Sequence, residues 1–81
     1  MTRYIECDIV YGDGIVNRGM INTTYIIYAE KFDDLTLFHM KNGEGIYVKH
    51  DYDTVLAEMK KGWNASYDFV TLSREVKNGE Q

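Results

Sequence analysis

After Lys49 the hydrophobic period of the chain changes from two to nearly four, and it does so once. Tyr52, Val55, Leu56, Met59 and Trp63 fall at i, i+3, i+4, i+7 and i+11, a single stripe of an amphipathic α-helix. The segments before and after it read as strands, so the sheet they form has one helix to cover it. The ends of the helix are marked as well. Asp51 or Asp53 caps its first turn and faces the positive end of its dipole. Lys60 and Lys61 suit the negative end, and Gly62 supplies a left-handed stop. Trp63 continues the apolar stripe, and its ring is expected to close the core.

The chain has no proline, so glycine and asparagine carry the turns. Gly12-Asp13-Gly14, Asn17-Arg18-Gly19 and Asn42-Gly43-Glu44-Gly45 separate β-prone apolar runs. Tyr4 to Tyr11 alternates, with Ile5, Cys7, Ile9 and Tyr11 on one face and Glu6 and Asp8 on an acidic, solvent-facing side. Met20 to Tyr28 reads as one strand covered on both faces. Leu35–Met40 and Ile46–Lys49 flank the Asn-Gly turn as a hairpin, with residues 41–45 as its exposed tip. Residues 69–76 return to alternation, with Val70, Leu72 and Val76 on one side.

The predicted architecture is therefore α+β: an antiparallel sheet of four to five strands packed on one helix, in the order β-β-β-β-α-β. A small SH3-like bent barrel with an added helix is the alternative. With 81 residues the chain has room for one domain, read as residues 1–76, followed by a polar tail at 77–81. A domain of this size buries a modest share of its surface, and seven tyrosines make association, including a homodimer, a natural expectation.

Nine Lys and Arg against thirteen Asp and Glu leave a net charge of -4. That balance opposes direct binding to nucleic acid and supplies no polybasic membrane signal. A lone Cys7 makes no intramolecular disulfide, and Met1 to Val10 lacks a signal-peptide pattern, so a cytoplasmic protein is expected. The tripeptides Asn22-Thr23-Thr24 and Asn64-Ala65-Ser66 match a glycosylation pattern that matters only on a secretory route; both are read as incidental.

Catalytic signals are poor. Gly12-Asp13-Gly14 lacks the further glycines and the lysine of a phosphate loop. Cys7 sits in the apolar register of a strand, where a thiol is usually inert, although a pairing with His39 or His50 is chemically conceivable. His50-Asp51-Tyr52-Asp53 contains metal-ligand types without the paired spacing of a metal motif, and His50 reads more simply as a solvated linker residue beside a helix cap. No enzyme activity, metal or other cofactor is expected.

The acidic residues Asp33, Asp34, Glu44, Asp51, Asp53 and Asp68 fall in turns and element ends, where they are exposed. With Tyr47, Tyr52 and Tyr67 nearby they suit an arginine-rich partner, since charge steers encounter and tyrosine adds contact area at low entropic cost. The plainer account is a solvated acidic surface, with Tyr47 and Tyr52 serving the core.

The strings Asn42-Gly43-Glu44-Gly45-Ile46-Tyr47-Val48, Lys61-Gly62-Trp63-Asn64 with Tyr67, and Thr71-Leu72-Ser73-Arg74-Glu75 resemble the small acidic phage anti-CRISPR proteins that inhibit Cas9. In that family a three-stranded sheet with helices presents carboxylates in place of DNA. The resemblance implies contact roles for Asn42 and Glu44 at the hairpin tip and for Asn64, Tyr67 and Asp68 after the helix. A second set, Leu35-Thr36-Leu37, the Asn-Gly turn, Ile46-Tyr47-Val48 and a helix from about Thr54, resembles flagellar FlbD-type small proteins and implies an accessory or regulatory role.

The leading expectation is a small acidic protein-interaction module, of the phage or mobile-element inhibitor kind, that occludes a basic nucleic-acid-binding surface on a host protein such as a CRISPR effector. Its contact residues are Asn42, Glu44, Asp51, Asp53, Asn64, Tyr67 and Asp68. The alternative is an accessory domain that pairs with itself or with another protein through a strand edge.

Overall fold

The computed structural model describes residues 3–74; Glu75 and Val76 of the last alternating run, and the tail at 77–81, lie outside the described residues. The elements are β1 (Tyr4–Val10), β2 (Val16–Asn22), a 3-10 turn (Thr23–Tyr25), β3 (Ile26–Phe32), β4 (Leu35–Met40), β5 (Gly45–Val48), α1 (Tyr52–Asn64) and β6 (Phe69–Thr71). The fold is α+β, an antiparallel sheet with a single helix, as the periodicity implies.

The expected single strand over Met20 to Tyr28 is two strands. Asn22 breaks it: its side chain accepts the amide of Thr24 at 3.0 Å and the Thr24 hydroxyl at 2.7 Å, which stabilises one 3-10 turn in place of further extended backbone. Five strands thus precede the helix. Two of the three hairpin turns, β1–β2 and β4–β5, rest on glycines with positive φ, Gly14 at 87° and Gly43 at 91°. Between β3 and β4 the tight turn is made by Asp33 at φ 53°, a conformation that a short polar side chain tolerates.

Strand order is β2-β1-β5-β4-β3, with β6 on β1. The two edge strands, β2 and β3, are consecutive in sequence and joined only by the 3-10 turn, so the sheet must coil. It has the bend of the barrel alternative but does not close, since no ladder joins β2 to β3 among the described residues.

The open side of β1 is shared. Residues Tyr4–Glu6 pair in parallel with β6, while Ile9 and Val10 pair antiparallel with β5. Asp8 lies at the change of neighbour. Its backbone carbonyl accepts the amide of Lys49 at 2.8 Å, and its amide donates to His50 Nε2 at 2.9 Å. An imidazole thus stands in for a missing strand partner. The core packs Ile5, Cys7, Ile21, Phe38, Val48, Val55, Val70 and Leu72 between the coiled sheet and one side of α1.

Candidate functional site

The helix meets the core off the centre of its apolar stripe. Val55 and Gly62 are its buried positions and Met59 packs partly, whereas Leu56 and Trp63 stand in solvent, Trp63 with 60% of its surface exposed. The expectation that Trp63 closes the core is overturned. Gly62 does not stop the helix but is buried within it, two turns after Val55 on the same face, so the covered face is the Val55–Gly62 side and Trp63 lies beside it. The helix runs on to Asn64, and the left-handed conformation after it falls on Ser66 at φ 59°.

Beside the exposed part of the stripe lies a groove of about 450 Å³ between α1 and β3. Tyr52, Leu56, Met59 and Trp63 form its helical wall, and Ile27, Ala29 and Phe38 its sheet wall. Among the described residues no charged side chain lines it. β3 is the last strand in the sheet order, so its outer edge is paired to no strand among the described residues. Its ladder to β4 is irregular between Ile26 and Tyr28, and Ile27, at this irregularity, is 62% exposed. The opposite face of the same strand is aromatic as well. Tyr28 stacks on His39 with centroids 4.1 Å apart, and Phe32 meets Tyr47 edge-on at 5.2 Å. Strand edges with unpaired backbone and exposed apolar side chains are either protected or used for pairing, and among the described residues no strand covers this one.

A second cluster is polar and buried. Asp8, expected on a solvent-facing side, retains 2% exposure. It sits directly across from Arg18 in the β1–β2 ladder, with Arg18 Nη1 at 3.2 Å, and Arg74 after β6 brings Nε to 3.3 Å and Nη2 to 3.4 Å. Arg18 Nη2 also donates to the Leu72 carbonyl, tying β2 to the segment after β6. His50, read from sequence as a solvated linker, is 1% exposed, and its carbonyl accepts the Thr36 hydroxyl at 2.9 Å. Each correction has one cause: the neighbours that bury these groups are distant in sequence and converge where β1 changes partner.

The electrostatics give this cluster a structural character. Burial alone pushes the Asp8 carboxyl up, but hydrogen bonds and charge from Arg74 and Arg18 outweigh it and hold the group below its ordinary value. So placed, Asp8 is a poor proton acceptor. Burial pushes the Cys7 thiol up to about 11 against the lowering influence of Arg18, which keeps it protonated at neutral pH. His39 is on the aromatic outer face, its Nε2 2.6 Å from Glu30 Oε1, so the two imidazoles sit in separate settings.

The residues expected to touch a partner occupy three separate places. Asn42 and Glu44 lie at the β4–β5 tip, where Asn42 Oδ1 accepts the Glu44 amide at 3.0 Å. Asp51 is the helix cap, accepting the Thr54 amide at 3.3 Å, and Asp53 is exposed in the first turn. Asn64 ends the 13-residue helix, about 20 Å from the cap, and Tyr67 and Asp68 follow it; all three are exposed. The Asp68 carbonyl accepts the amides of Arg3 and Tyr4, both at 2.9 Å, anchoring that loop to β1. Ile27 and the β3 edge were not singled out in sequence, and Leu56 was read only as part of the apolar stripe of the helix. Their only signal was an apolar stripe broader than one contact face needs.

Fold and groove together define a small α+β domain with an open sheet edge beside an apolar cleft. In comparisons with protein-family models, curated proteins and solved structures, nothing matches this chain.

Proposed function

We infer that this is a protein-interaction domain, acting by binding, whose contact face is the β3 edge together with the groove beneath Leu56 and Trp63. The observation that carries the reading is the juxtaposition of an unpaired strand edge with an uncharged groove. An added strand gains main-chain hydrogen bonds from β3 and places alternate side chains against apolar walls. Tryptophan and tyrosine at such a face supply large contact area.

A second reading, occlusion of a basic nucleic-acid-binding surface on a host protein, draws on the exposure of Glu44, Asp53 and Asp68 in a chain of net charge -4. The dispersal of those carboxylates gives the apolar face the larger part. The two differ in salt dependence, since a carboxylate-led contact weakens as ionic strength rises and an apolar one does not. The test is affinity capture from the native cell lysate at low and high salt. The strand-edge reading expects capture that survives high salt and the double reversal Glu44→Lys with Asp68→Lys, and that fails with Trp63→Ala plus Ile27→Lys. The reverse pattern would replace it with the carboxylate reading.

A further inference from the structure

We propose that the β3 edge pairs antiparallel with β3 of a second copy of this chain, with Ala29 on the two-fold axis. The inference rests on the strand-edge reading above and adds a partner and a register.

Charge argues for a second copy. The chain carries thirteen acidic and nine basic residues, yet among the described residues none of them lines the groove. A strongly basic or acidic partner finds no counter-charge there. Two copies of an acidic chain, by contrast, meet on this face without opposing their carboxylates, so the patch is complementary to itself.

The register follows from strand geometry. Identical edges pair antiparallel by matching residues whose backbone groups point the same way, which places one residue on the axis and its neighbours i-1 and i+1 opposite each other. An axis at Glu30 sets carboxylate against carboxylate, and one at Lys31 sets ammonium against ammonium, both destabilising. An axis at Tyr28 centres the pairing next to the irregularity at Ile27 and leaves Phe32 unpaired. Ala29 is the midpoint of the seven-residue strand Ile26–Phe32, so an axis there centres the pairing on its regular part and leaves the irregularity at Ile27 toward the margin. It also puts Tyr28 opposite Glu30 and Ile27 opposite Lys31, with two small side chains at the centre. The axis stands perpendicular to the sheet, which sets both helices on one face and joins the two grooves.

Sedimentation equilibrium over a range of protein concentrations, with two kinds of variant, tests this. Ile27 is exposed, so its replacement leaves the fold intact, as far-ultraviolet circular dichroism checks. Ile27→Lys sets an ammonium against Lys31 of the second copy and is expected to give a monomer; Ile27→Glu sets a carboxylate there and retains the dimer. Ala29→Cys is expected to cross-link under mild oxidation, because directly opposed strand residues lie within disulfide reach. Lys31→Cys is expected not to, and the native Cys7 is buried and does not compete. A chain that is monomeric at every concentration overturns the proposal. So does a dimer that responds alike to both Ile27 variants and fails to cross-link at Ala29. If the chain is monomeric yet Trp63→Ala with Ile27→Lys abolishes capture of a different protein, self-pairing falls while the strand-edge reading stands.

Discussion

The backbone amide of Asp8 donates to the Nε2 of His50 across 2.9 Å of buried interior, 42 residues apart in sequence. This places the imidazole in the tautomer whose Nε2 is an acceptor and closes the gap between β5 and β6 on β1. Replacing His50 with Ala removes the acceptor of a buried N–H and leaves a cavity, with an expected cost of about 3 kcal/mol. His50→Gln, which keeps an acceptor on a side chain of comparable reach, is expected to recover part of it. Urea unfolding of the three proteins measures both.

Asp8 itself predicts a pH dependence. Its folded pKa lies below the ordinary 3.8, so the unfolded chain takes up the proton first as pH falls. The stability it contributes is complete above about pH 5 and is lost as pH drops through the ordinary value toward the folded one. Asp8→Asn is expected to lower stability at neutral pH and to flatten the acid limb of a stability–pH curve below about pH 4. Because the Arg74 side chain is largely exposed, added salt is expected to weaken its share more than that of Arg18.

Gly19 faces Ile9 closely enough to forbid a side chain without movement. A Cβ there falls 2.6 Å from Ile9 Cδ1, the far end of a flexible side chain. Gly19→Ala is expected to cost about 1 kcal/mol. Ile9→Val removes the offending methyl, so the double variant is expected to be more stable than the sum of the two single changes predicts, by about 0.5 kcal/mol or more. Thermal denaturation of the full cycle checks the coupling.

The two aspartates at the start of α1 differ in role. Asp51 accepts the Thr54 amide as a cap, whereas Asp53 acts only through the helix dipole. Asp51→Ala is expected to lose about 1 kcal/mol and Asp53→Ala about 0.3 kcal/mol. Chemical denaturation resolves the difference.

Trp63 and Val55 lie on one stripe and predict opposite outcomes. Val55→Ala, in the core, is expected to cost about 2 kcal/mol. Trp63→Ala is expected to leave stability within about 0.5 kcal/mol while weakening association through the groove. A Trp63→Ala protein that unfolds as readily as Val55→Ala would place the ring in the fold and not at the contact.

The sequence by itself determined the kinds of element and most of their limits. The helix start at Tyr52, the Asn42-Gly43 hairpin and the strand at Tyr4–Tyr11 are local matters of periodicity, turn chemistry and capping, and each stands within a residue or two of its expected place, whereas the helix end does not: α1 passes through Gly62, its expected stop, to Asn64. The surface was less legible. The acidic residues were readable as exposed, but their spread over the two ends of α1 and a hairpin tip depends on which way the elements run. What only the tertiary structure decided is which side of each element is covered. Asp8 and His50 are buried because β1 changes neighbours between β6 and β5 at that point, and Trp63 is exposed because the helix meets the core on its Val55–Gly62 side. Periodicity reports that a face is apolar; whether a core or a partner covers it depends on contacts between residues far apart in the chain.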